Sequence, residues 1–127
     1  MSVAYLSLED LLGLADDLNC FAVRDIGLLD SAAHRPGATA FGEDAYPSIH
    51  EKAAVLLESI VGNHPLVDGN KRLGWLATYV FYGLNGYDVI APDDEAYDLI
   101  IALAAGKADF REAAAALESW TARAVKS

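Results

Sequence analysis

The chain has a single cysteine, Cys20, which excludes an internal disulfide framework and a cysteine-rich zinc site and fits a reducing compartment. It lies in the apolar stretch Leu18-Asn19-Cys20-Phe21-Ala22-Val23, where a free thiol is expected to pack as a small, inert hydrophobe. No apolar run is long enough to span a bilayer. The opening Met1-Ser2-Val3-Ala4-Tyr5 has no basic segment leading into an apolar one, so a secretory signal is not expected. Cations are scarce, with 9 Lys and Arg against 19 Asp and Glu and a net charge of −10. A surface of that sign repels the phosphate backbone, which argues against direct nucleic-acid binding.

What is present is a helical pattern over one domain, residues 1–127, 54% hydrophobic and long enough to bury its own core. Ser7-Leu8-Glu9-Asp10 resembles a capping box opening a first helix, and Gly27 to Arg35 gives a short second one that Pro36-Gly37 stops. Residues 38–46 read as a loop or short hairpin. Pro47-Ser48-Ile49-His50-Glu51 restarts a helix that Gly62-Asn63 ends. Residues 70–84 are apolar nearly all round and are expected to form the central buried helix. Val89-Ile90-Ala91 is extended, Pro92-Asp93-Asp94 opens another helix ending at Gly106, and Asp109-Phe110-Arg111-Glu112 caps a last one through Leu117 and Trp120. The expected fold is an all-α bundle of about six helices around helix 70–84. His34 and His50 lie beside helix ends and read as surface residues. Trp75, Tyr79 and Tyr82 read as core or rim aromatics.

The informative run is His64-Pro65-Leu66-Val67-Asp68-Gly69-Asn70-Lys71-Arg72. It feeds the start of helix 70–84, whose first backbone N–H groups lack helical partners and carry partial positive charge. Gly69 would let an oxyanion approach the backbone closely. Lys71 and Arg72 add cationic charge, Lys as a point and Arg as a two-pronged donor. Asn70 can fix either a phosphate chain or the loop itself. Asp68 supplies a hard oxygen of the kind Mg2+ prefers beside nucleotide phosphates. The imidazole of His64 can take a proton from an attacking hydroxyl. A base, an anion cradle and a metal carboxylate together point to phosphoryl or nucleotidyl transfer. A metal site built on His64 and Asp68 is disfavoured, because Pro65 and Gly69 break the helix that would align them and no third ligand is evident.

These residues resemble the Fic/Doc motif, usually written H-P-F-x-D/E-G-N-G-R-x-x-R, and resemble most its Doc branch, the death-on-curing toxins of bacterial toxin–antitoxin pairs. The context agrees: Gly27-Leu28-Leu29-Asp30-Ser31-Ala32, Arg35-Pro36, Tyr46-Pro47 and Glu51-Lys52-Ala53-Ala54 precede the motif, and Asn85-Gly86-Tyr87 follows it. The resemblance implies that His64 is the general base, Asp68 the magnesium-binding acid, and Gly69, Asn70, Lys71 and Arg72 the nucleotide cradle. Lys71 replaces the second glycine of the motif, Trp75 stands where AMP-transferring members carry arginine, and Leu66 replaces phenylalanine. In Doc-like members the lysine goes with a reversed nucleotide whose γ-phosphate faces the base. The implied activity is ATP- and Mg2+-dependent phosphorylation of a Ser or Thr hydroxyl, with elongation factor Tu as the implied target, in the bacterial cytoplasm. A Fic-type AMP-transferase and a catalytically dead binding module are the alternatives. The self-restraining string S/T-x-x-x-E-G/N has its nearest match in Thr39-Ala40-Phe41-Gly42-Glu43-Asp44, which fails at the last position. Restraint is therefore expected from a second chain, a Phd-like antitoxin, and residues 38–46 are expected to act as a flap aligning a target segment.

Overall fold

Capping side chains set where the helices start. The computed structural model describes residues 2–124. Helix α1 (Leu8–Asp17) opens on a full capping box, in which Ser7 Oγ accepts from the Asp10 amide and the Asp10 carboxylate accepts from the Ser7 amide. Asp25 caps α2 (Ile26–His34), which runs into a short 3-10 turn at Arg35–Gly37. Ser48 and Glu51 form a second capping box at the start of α3 (Ile49–Asn63). α4 (Asn70–Leu84), α5 (Asp93–Ala104) and α6 (Phe110–Trp120) complete six helices, as the sequence pattern led one to expect. No described helix is long and apolar enough to cross a membrane.

The central helix is α3 rather than α4, a correction to the sequence reading. Lys52 through Leu57 are all buried, as are Ser59, Ile60 and Val61, and α2, α4, α5 and α6 all pack around them. The polar residues of α3 that face inward are enclosed with partners. Lys52, 1% exposed, donates to Asp44 Oδ2 at 3.1 Å and to the Pro36 carbonyl at 3.4 Å. Arg35 Nη1 donates to Glu58 at 2.7 Å and to Ser59 Oγ at 2.9 Å. Without such partners each of these groups would cost several kcal/mol to bury. α4 lies tightly against α3: a Cβ at Gly74 would come within 2.6 Å of Val61 Cγ1. It nonetheless leaves Lys71, Arg72 and Tyr79 exposed.

Two small β pairs complete the fold. β1 (Thr39–Ala40) and β2 (Glu43–Asp44) form the hairpin anticipated for residues 38–46, with Phe41 and Gly42 at φ 54° and 81° in the turn. β3 (Tyr87–Val89) pairs antiparallel with β4 (Thr121–Arg123). The extended stretch expected at 89–91 thus begins two residues earlier and has a strand partner that three residues of sequence did not reveal.

His50 is not the solvated residue expected from its place near a helix start. Its Nδ1 shares a 2.9 Å hydrogen bond with the hydroxyl of fully buried Tyr82, and its ring meets Tyr87 edge-on. Burial pushes the Tyr82 phenol up, so it keeps its proton, and the imidazole tautomer sets which partner donates. Burial also lowers the His50 pKa, opposed by the charge of Glu118. Because the folded ring has the lower pKa, the unfolded chain protonates first as the pH drops. This contribution to stability is therefore full above the unfolded value of about 6.5 and is lost progressively below it. Thermal melts at falling pH should show this decline in the parent protein, and His50→Gln should flatten it. An identical pH profile in the two proteins would exclude His50 as its source.

Candidate functional site

The site is built where α3 ends and α4 begins. α3 stops because His64 takes the left-handed conformation, φ 51° and ψ 59°, which turns the chain away from the helix axis. Pro65 and Leu66 then pass inward. Leu66, which replaces the motif's phenylalanine, is 1% exposed and fills part of the core. Asn70 closes the loop: its Oδ1 accepts from the Leu66 amide at 2.8 Å and its Nδ2 donates to the Leu66 carbonyl at 3.0 Å. Of the two roles open to Asn70, the structure shows the one that holds the loop.

A residue that sequence reasoning missed secures the other side of the turn. Arg24 Nε donates to the His64 carbonyl at 2.7 Å and Nη2 to the Asn63 carbonyl at 2.8 Å. A cation on the last carbonyls of a helix satisfies orphan acceptors and suits the negative end of the dipole. The amides of Arg24 and Asp25 both donate to the Pro65 carbonyl, and the Val67 amide donates to Ala22. The segment before α2 therefore clamps the loop backbone at several points. Nothing in the sequence sets Arg24 apart from the chain's other arginines.

Gly69 occupies φ 92°, and a Cβ there would lie 2.3 Å from Cys20 Sγ. Its glycine character answers to the buried thiol beneath the loop as well as to the backbone conformation. Cys20 is buried as expected, and it forms the floor of the loop. Beyond Gly69 the first turn of α4 carries no side-chain cap, unlike α1, α2, α3 and α6. Its free amides are therefore available to an anion.

These elements border a groove of about 810 Å³. His64, Asp68, Gly69, Asn70, Lys71 and Arg72, every residue singled out from the sequence, line it together. Leu18, Trp75, Tyr97 and Ile100 supply the apolar walls. Asp68 and Arg72 face each other at 3.5 Å with side chains 92% and 57% exposed. An exposed pair of this kind is worth at most about 1 kcal/mol, so an incoming phosphate could take over the guanidinium readily. Among the described residues no group of three or more His, Cys, Asp or Glu side chains could hold a metal alone. A single exposed carboxylate fits magnesium, which takes one or two carboxylates and completes its shell with phosphates and water.

The hairpin does not contribute to this groove. Asp44 ties it to Lys52 in the first turn of α3, whereas His64 caps the last. A helix of 15 residues separates those ends by about 22 Å. None of residues 38–46 lines the groove, so the flap role expected of them finds no support in their position.

Comparison with known proteins agrees with the geometry. A family model described as the Fic/DOC family matches residues 5–82, a span that includes the whole loop. A protein named Toxin Doc from Mycolicibacterium smegmatis (strain ATCC 700084 / mc(2)155) is 47% identical over 104 residues, covering 80% of this chain and 80% of that protein.

Proposed function

Since the chain belongs to the Fic/DOC family, we propose that it is a Doc-type toxin that transfers the γ-phosphoryl group of ATP to a Ser or Thr hydroxyl of a target protein. The target class is a translation factor, elongation factor Tu by resemblance, and a Phd-like antitoxin neutralises the toxin in the bacterial cytoplasm. The observation that carries this reading is the meeting, in one groove, of the His64 imidazole with the uncapped start of α4 and the side chains of Lys71 and Arg72.

The roles follow from that arrangement. The free amides of the first turn of α4, with Lys71 and Arg72, hold the phosphate chain and neutralise charge that builds on the transferring group. His64 accepts the proton of the target hydroxyl as its oxygen bonds to the γ-phosphorus. The bond from that phosphorus to the β,γ-bridging oxygen breaks, and ADP leaves with the electron pair. Asp68 would hold Mg2+, which when bound supplies charge neutralisation at the phosphate oxygens. Arg24 and Asn70 act at one remove, by fixing the backbone that carries His64 and the loop.

The test is incubation of the purified protein with a candidate translation factor and ATP labelled at either the γ or the α position. Label should reach a Ser or Thr of the target from the γ position alone. Transfer from the α position would replace this reading with an AMP-transferase, and tight ATP binding without transfer to any candidate would replace it with a binding module. In cells, expression should arrest growth, and co-expression of the cognate antitoxin gene should relieve the arrest.

A further inference from the structure

The groove is longer than a phosphate chain requires, and its two ends differ in chemistry. At the α4 start it presents Lys71 and Arg72. Further along, a continuation of about 330 Å³ shares Trp75, Tyr79, Tyr97 and Ile100 with it and ends at Asp93. Tyr79 and Tyr97 are 55% and 64% exposed, and with Trp75 both line the two connected parts of the groove. Tyr79 is nine residues along α4 from Asn70, about 14 Å at the rise of an α-helix. That is the span from the terminal phosphate to the base of an extended nucleoside triphosphate.

From this we infer that Trp75, Tyr79 and Tyr97 form a base-stacking subsite, which seats the nucleobase along α4 while the terminal phosphate sits at the start of that helix beside His64. The inference rests on the phosphoryl-transfer reading and adds the place of the base and the reason for the nucleotide's direction. Aromatic faces stack on any nucleobase. Charge selects the polarity: the cationic end attracts the phosphates, while Asp93, with Asp94 and Glu95 in the same first turn of α5, repels them. The Asp93 carboxylate also offers an acceptor for a ribose hydroxyl or an exocyclic amine. Trp75, the position where AMP-transferring relatives of the motif carry a cation, thereby becomes a specificity-determining residue.

Calorimetric titration of the whole protein with magnesium–ATP and with magnesium–tripolyphosphate separates the base from the phosphates. ATP should bind at least about tenfold more tightly than tripolyphosphate, the effect of one base–aromatic stack. Trp75→Ala should remove about that factor from ATP binding and leave tripolyphosphate binding unchanged, whereas Trp75→Phe should retain most of it. Tyr97→Ala, at an exposed position, is the second variant should Trp75→Ala fail to fold. If ATP binds well but equally to the parent and to the folded variants, the subsite is wrong and the phosphoryl-transfer reading survives. If the parent binds neither ATP nor tripolyphosphate, that reading falls and the inference falls with it.

Discussion

A His64→Gly variant should be inactive in phosphoryl transfer and about as stable as the parent. His64 sits at φ 51° and ψ 59°, a conformation that costs a residue bearing a Cβ about 1–2 kcal/mol. Glycine removes that strain, and the relief offsets the extra backbone entropy of about 0.5–1 kcal/mol that glycine brings from the unfolded chain. The turn itself is held through backbone atoms: Arg24 donates to the carbonyls of residues 63 and 64, and the amides of residues 24 and 25 donate to the Pro65 carbonyl. None of these bonds involves the imidazole. Loss of a positioned general base lowers the rate by about 10²–10⁴. His64→Ala should be equally inactive and also about as stable as the parent, because alanine keeps the same backbone strain and no hydrogen bond of the turn is lost. Transfer from γ-labelled ATP and a thermal melt on each variant test both halves. Retained turnover in His64→Gly would remove the imidazole from the mechanism, and a melting point many degrees lower would give it a structural task instead.

Much of this molecule was readable from local chemistry. Ser7, Ser48 and Asp109 mark helix starts because a short oxygen-bearing side chain satisfies amides only a few residues away. The loop from His64 to Arg72 was legible because five chemically distinct polar side chains in nine residues have no bland explanation, and the structure gathers them at one groove. The failures share a cause: the deciding partner lies far along the chain. Lys52 and Ser59 are polar residues that only the fold makes part of a buried helix, by bringing Asp44 and Arg35 onto them. α4 passed for the central helix because the face it turns to the groove is aromatic, and an aromatic side chain reads alike whether it meets a core or a ligand. His50 lay beside a helix start, and only the fold brings Tyr82 and Tyr87 to it. Arg24 is 40 residues from the carbonyl it holds, so no local pattern could assign its role.

Gly69→Ala tests whether that distant packing supports the chemistry. At φ 92° an alanine is strained by about 1–2 kcal/mol. Its Cβ would also lie 2.3 Å from Cys20 Sγ and 3.0 Å from Cys20 Cβ. Rotating the thiol would leave the Cβ contact, and the backbone that carries Cys20 is held by the bond of its amide to the Ala15 carbonyl and by that of the Val67 amide to the Ala22 carbonyl. Overpacking of this kind adds about 1–3 kcal/mol. The combined loss of about 2–5 kcal/mol is a large share of the 5–15 kcal/mol that holds a typical domain together. Relief would come from lifting the loop off its floor, which displaces the α4 amides from the phosphate position, so transfer should fall even in molecules that remain folded. Cys20→Ala removes Sγ and leaves the backbone strain. The double variant Cys20→Ala/Gly69→Ala should therefore recover about 1–2 kcal/mol relative to the sum of the single changes, with only partial return of activity. Denaturant unfolding of the four proteins measures that coupling. Simple additivity would show that the loop does not rest on the thiol, and the intolerance of position 69 would then be due to its positive φ alone.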